Sequence, residues 1–234
     1  MKKISTLLLF IIMGTGIMYS QNCLDFFPET EGSVLTTKTY DAANNLQNTM
    51  IYTVKEVRNN PVLNSMEVAF TMMDNNNNMV STATIETTCS DGTFNLRMVN
   101  KGYSPELIRA LTTNTELVSY FLDYPDNSDY PIGSTFDMDG GEYRIEDKNN
   151  NIDIEVRIDN RVNEGWENVR TPARIDSFEA YKITFDFSVE QDGETTRLKG
   201  VEWYSPRFGI VRSETYDKDD NLITRTELAE MQIM

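Results

Sequence analysis

The chain has 234 residues, 37 of them acidic and 21 basic, for a formal net charge of −16, and it contains no histidine. That charge repels phosphate backbones, so nucleic acid is excluded as a natural partner, and it disfavours anionic membrane surfaces too. Without histidine there is no Ser-His-Asp triad, no Cys-His dyad and no imidazole metal site, and calcium is the one metal left to weigh.

The first twenty residues differ from the rest. Met1-Lys2-Lys3 is a positive start, Leu7 to Met13 is an apolar run, and the small residues Gly14, Gly16 and Ser20 follow. This is the order of a secretory signal. The run falls short of the roughly twenty apolar residues a spanning helix needs. The pattern predicts residues 1–20 as a signal peptide cut after Ser20, with Met18 bulky for its place before the cut. Residues 21–234 then form a single β domain of net charge −18, since Lys2 and Lys3 leave with the signal. Lipidation of Cys23 is the rival reading, but the polar pair Gln21-Asn22 stands where a lipoprotein carries apolar and small residues. No second apolar run of membrane length follows.

Export places both cysteines in an oxidising compartment, where a disulfide between Cys23 and Cys89 is the single intramolecular pairing available. Closing that loop contributes about 4 kcal/mol in the chain-entropy model. A redox role would call for close C-x-x-C spacing, which is absent.

In chain order, alternating runs at 33–40, 47–57, 66–73, 79–88 and 93–99 read as strands. Ser104-Pro105-Glu106 is an N-cap, a first-turn proline and an early acid before Leu107, Ile108 and Leu111, and predicts a short helix ending near Thr113. A further strand is expected at 117–124, then a long loop through the Pro-, Asp- and Gly-rich stretch to Gly141. Ile152, Ile154, Val156 and Ile158 alternate with charged neighbours, and Tyr181, Ile183, Phe185, Phe187 and Val189 do the same. Runs at 198–204, 210–216 and 222–229 complete the set.

A turn recurs between them, with Asp, then Asn four positions on, then an apolar residue: Asp41/Asn45, Asp74/Asn78, Asp147/Asn151 and Asp217/Asn221. Asp caps nearby N–H groups and Asn tolerates left-handed backbone. Cys89-Ser-Asp-Gly92 and Gln191-Asp-Gly-Glu194 read as further turns. The whole predicts an all-β fold: a strongly curved antiparallel sheet or partly open β-barrel of about a dozen strands, with one short helix across an opening.

Three stretches carry a family resemblance. Val169 to Lys182, with Thr171-Pro172-Ala173, Phe178 and Tyr181-Lys182, is similar to a TPAGxFxxYK element. Val201 to Val211, with Trp203-Tyr204 and Gly209, is similar to a WYxxGxGxV element. Gln21-Asn22-Cys23 with Phe27-Pro28 and Glu31-Gly32 resembles the start of the mature chain. Together these resemble the TapB-like exported proteins, a group related to a bacterial domain of unknown function, from Cys23 to about Leu228. Arg174-Ile175 stands where the first element ordinarily has glycine, so that turn is longer or differently shaped. The resemblance implies a curved fold of the YmcC-like or lipoprotein-carrier (LolA/LolB-like) kind and carries no catalytic residue with it.

Trp203 and Tyr204 point to opposite faces of one strand, while Tyr181, Phe185 and Phe187 share a face. These five are the candidate lining of an apolar ligand site, against ordinary core packing as the commoner use of such residues. Asp217, Asp219 and Asn221 look like the start of a calcium loop, but Leu222 and Leu228 occupy the positions that need Gly and Glu, so a plain turn is expected. No nucleophile or phosphate-loop motif appears in the mature chain, and no pair among its many carboxylates stands out for a hydrolase. The expectation is a protein of the periplasm or cell surface with no catalytic residues, no metal and no cofactor, binding a lipid or other apolar or amphipathic ligand. Partnership with another envelope protein is the alternative.

Overall fold

The computed structural model describes residues 27–58, 64–90, 93–99, 104–118, 124, 136–147 and 151–234. Five strands come first: β1 Val34–Asp41, β2 Leu46–Arg58, β3 Asn64–Asp74, β4 Met79–Ser90 and β5 Thr93–Val99. Two short helices, α1 Pro105–Thr113 and α2 Thr115–Val118, separate them from β6 Phe136–Met138, β7 Gly141–Asp147, β8 Ile152–Val169, β9 Phe178–Gln191, β10 Glu194–Ser205, β11 Gly209–Tyr216 and β12 Leu222–Gln232. All twelve strands join one antiparallel sheet in the order β5-β4-β3-β2-β1-β12-β11-β10-β9-β8, with β6 and β7 both on β8. Its edges, β5 and β6, do not pair, so the sheet is not closed into a barrel.

The strand expectations hold at every run but one. Of the run expected at 117–124, Leu117 and Val118 belong instead to α2, with Leu117 fully buried, and 119–123 lie outside the described residues. The stretch expected as a loop before Gly141 contributes β6. β8 runs eleven residues past the alternating stretch at 152–158, through register shifts at Asp159/Val162 and Asn163/Gly165. Arg161 and Asn163 are buried there, and inward polar residues erase the alternation by which a strand is recognised.

Helix α1 starts as its sequence requires. Ser104 Oγ accepts from Leu107 N–H at 3.1 Å, Pro105 occupies the first turn, and Leu107, Ile108, Ala110 and Leu111 are buried.

The Asp-led turns close hairpins, with a refinement. In three of them the left-handed residue is the third after the Asp: Asn44, Asn77 and Asp220. The Asn at the fourth position bonds back to the Asp carboxylate through its own N–H and its amide, at 2.8–3.2 Å in each of the three. These bonds hold the Asp41, Asp74 and Asp217 carboxyls below their ordinary pKa. Asn151 and the Asp192-Gly193 pair are left-handed as well. By the strand directions, all these turns lie at one end of the sheet. The start of β1, the 170–177 loop, the 206–208 turn and the C-terminus lie at the other.

Cys23 and the 91–92 turn lie outside the described residues, as does the side chain of Cys89, and with it the expected disulfide.

Candidate functional site

The inner face of the sheet carries a row of polar residues where a core would ordinarily be apolar. Register places six of them side by side across seven strands, with Ile183 on β9 the one apolar member: Asn48 on β2, Thr39 on β1, Thr226 on β12, Ser213 on β11, Glu202 on β10 and, beyond Ile183, Asn163 on β8. None is more than 6 % exposed. Beside the row on β8–β10 lies a line of rings, Trp166, Tyr181 and Tyr204, with the first two centroids 4.0 Å apart.

A strap formed by residues 104–118 crosses this face and, like Tyr124, is pinned to it by polar bonds. Thr224 Oγ1 donates to Thr113 O at 2.6 Å. Asn114 Nδ2 donates to Thr39 Oγ1 at 3.1 Å, and Thr39 in turn meets Thr226 at 2.9 Å. Glu116 accepts from Thr37 and Tyr52, each at 3.2 Å. Tyr124 donates to Glu202 at 2.6 Å, stacks 4.6 Å from Tyr204 and lies 4.6 Å under the Arg161 guanidinium. Glu116 bonds to β1 and β2 and also feels the charge of Glu202 on β10, four strands from β2. In a flat sheet that is about 19 Å, so the sheet curls around the strap.

Glu116 is nearly inaccessible, and burial drives its pKa up to about 8, with like charge from Glu202 adding to the rise and the Thr37 and Tyr52 bonds opposing it. The strap therefore docks with a neutral carboxylic acid at neutral pH. Several inner-face groups lack a hydrogen-bond partner: Asn163 Nδ2, Thr215 Oγ1 and Trp166 Nε1 on the sheet, and Thr115 Oγ1 on the strap. Such groups are uncommon in folded proteins, and each calls for a physical reason.

The five ring residues expected to line a ligand site divide into three settings. Tyr181 and Tyr204 border the polar row. Phe185 and Phe187 lie on the same face but pack as core, and Phe185 covers Gly200 so closely that a Cβ there would come within 2.4 Å of the ring. Trp203 is on the opposite face. Its Nε1 donates to Glu167 at 2.8 Å, and Lys182 and Arg212 lie over its ring at 5.8 and 5.1 Å. It borders a shallow groove of about 450 Å³ with Arg170 and Asn168. The candidate lining thus keeps Tyr181 and Tyr204 and gains Trp166, Asn163, Glu202, Thr215 and Glu116. The signal for Asn163 and Glu202 was available, as polar residues at inward phase, but it reads as noise until the register is known. Among the described residues no group of acidic or cysteine side chains is arranged to hold a metal, and no helix is long and apolar enough to cross a membrane.

Comparison with known proteins places the chain. The DUF3108-like family model matches residues 30–228, and the protein belongs to that family. Two solved structures share the architecture over nearly their whole length. One is a candidate exported protein with a YmcC-like fold from Bacteroides fragilis, 25 % identical, TM-score 0.72, covering 89 % of this chain and 99 % of its own. The other is a candidate lipoprotein from Parabacteroides distasonis, 29 % identical, TM-score 0.73, covering 91 % and 100 %. No curated protein matches. Of the two folds the resemblance implied, YmcC-like or LolA/LolB-like, the chain is similar to a structure with the first.

Proposed function

We propose that the protein works in the periplasm or at the cell surface as a non-enzymatic binding module for an amphipathic ligand, taken on the inner face where the strap now lies. Within its family we place it with the TapB-like exported proteins, on the elements at 169–182 and 201–211. The observation that carries the reading is the set of unpartnered polar groups on a face that also presents rings. A scaffold gains nothing from burying Asn163 Nδ2, Thr215 Oγ1 and Trp166 Nε1 unpaired, since each costs about 1–3 kcal/mol. A ligand with a polar head and an apolar body satisfies the polar groups and covers Trp166, Tyr181 and Tyr204 together. The export signal read in the sequence, and relatives described as exported protein and lipoprotein, support the compartment. The strap is the element that must yield, because it covers the polar row, and its opening gives up both the polar pins and the burial of Leu107, Leu111 and Leu117.

Native mass spectrometry of the protein purified gently from its own envelope tests this. The expected result is a bound species that extracts into organic solvent and is released on unfolding. A ligand-free mass in every preparation, with the inner face equally closed in solution, contradicts it.

A further inference from the structure

Four large apolar side chains are exposed among the described residues: Met79, Ile175, Ile233 and Met234. Three of them lie at the end of the sheet opposite the Asp-led turns. Ile175 is 98 % exposed at the tip of the 170–177 loop. That loop is firmly built. Ala173 N–H donates to Thr171 Oγ1 at 3.3 Å, Arg174 donates to the carbonyls of Asp176 and Ser177, and its guanidinium lies 3.7 Å over Phe178 and 5.5 Å from Phe208. An isoleucine held fully in water by an ordered loop forgoes the burial that such a side chain ordinarily gains.

Charge is sorted along the same axis. The described turns at the far end hold Asp41, Asp74, Asp192, Asp217, Asp219 and Asp220 against Lys218 alone. The 170–177 and 206–208 loops hold Arg170, Arg174 and Arg207 against Asp176. Glu29 and Glu31 lie at this end too, and the Glu31 carboxylate is occupied by Val57 N–H at 3.0 Å. So a chain of strongly negative total charge carries its apolar tip among guanidinium groups. The chain also enters the sheet from this end, with Phe27 packed 5.8 Å from Tyr52.

We propose that this end docks on a lipid surface, with Ile175 inserted as the tip and Arg170 and Arg207 at headgroup level. The exposed apolar groups sit on separate segments, one after β8 and two after β12, four strand steps apart in the sheet order. Separate tips at one end of the sheet suit a lipid interface, whereas a partner protein is met by one contiguous patch. The acidic turns point away, which lowers the repulsion that the total charge would impose. The proposal stands whether or not the inner face holds a ligand.

Vesicle flotation of the chain from Gln21 onward tests it, using phosphatidylcholine vesicles with and without phosphatidylglycerol. The chain should float with both, and more with the anionic set. Ile175→Glu should lower the bound fraction at least fivefold on both without moving the melting temperature, and Ile175→Leu should retain binding. Arg170→Glu with Arg207→Glu should remove only the gain given by phosphatidylglycerol. Equal flotation of Ile175→Glu and the native chain, or none by the native chain, overturns the proposal. So does a photocrosslinker at position 175 that captures a protein and no lipid in intact cells.

Discussion

Glu116 is the residue whose chemistry departs furthest from its type. Its pKa in the folded chain stands at about 8 against an ordinary 4.5. Between those values the folded chain holds a proton that the unfolded chain releases, so stability falls as pH rises through that window. The slope is at most about 1.4 kcal/mol per pH unit. Glu116→Gln is uncharged, with its amide oxygen accepting from one of the Thr37 and Tyr52 hydroxyls and its NH2 donating to the other, so its denaturant midpoint should stay level between pH 5 and pH 8 while the native midpoint declines. Parallel profiles would mean that the carboxyl is not neutral in the docked strap. The turn aspartates act in the opposite sense and a different range. Their folded pKa values are lowered, so what Asp217 contributes is present above the ordinary carboxylate range and is lost as pH falls through its depressed value. Asp217→Ala should lower the melting temperature at pH 6 and much less at pH 2. Gly200 has a steric role: Ala there meets the Phe185 ring and should cost about 1–3 kcal/mol by chemical denaturation. The sequence shows this glycine but not the ring that covers it, because Phe185 comes from the neighbouring strand.

At the scale of elements, what the sequence shows plainly is what local physics decides. The Asp-to-Asn turns at 41–45, 74–78 and 217–221, the α1 cap and the period-two runs other than 117–124 each settle their own conformation from neighbouring residues and are found where they are expected. What it hides depends on register. α2 is read as a strand because Leu117 and Val118 precede the apolar and aromatic pair Tyr120-Phe121, a run that suits either conformation. The long extension of β8 is missed because its inward positions are Arg161 and Asn163, residues that signal loop unless a polar interior awaits them. The strap itself is held by Asn114, which donates to Thr39 and accepts from Glu116 N–H at 3.0 Å. Asn114→Ala should cost about 1–3 kcal/mol locally. In hydrogen exchange, protection should fall across 105–117 while β1 and β12 keep theirs. Uniform loss across the sheet would show that strap and sheet open as one unit.

For the whole molecule, one sheet curls around one strap and yields two faces with different tasks. The inner face gathers a polar row and a line of rings under the strap, and the far face takes the salt bridges and the paired cations over Trp203. The ring residues picked from sequence as ligand-lining were mostly inward, but the polar groups that make that face unusual come from strands distant in sequence, and no local pattern announces them. The most direct test uses Thr215→Val and Thr115→Val together. Both remove unpartnered hydroxyls with little change of shape, so the doubled variant should melt higher than the native protein. If those atoms exist to meet a ligand, the same variant, purified from the native envelope, should lose the species that co-purifies with the unaltered chain. Higher stability with the ligand fully retained would contradict the account.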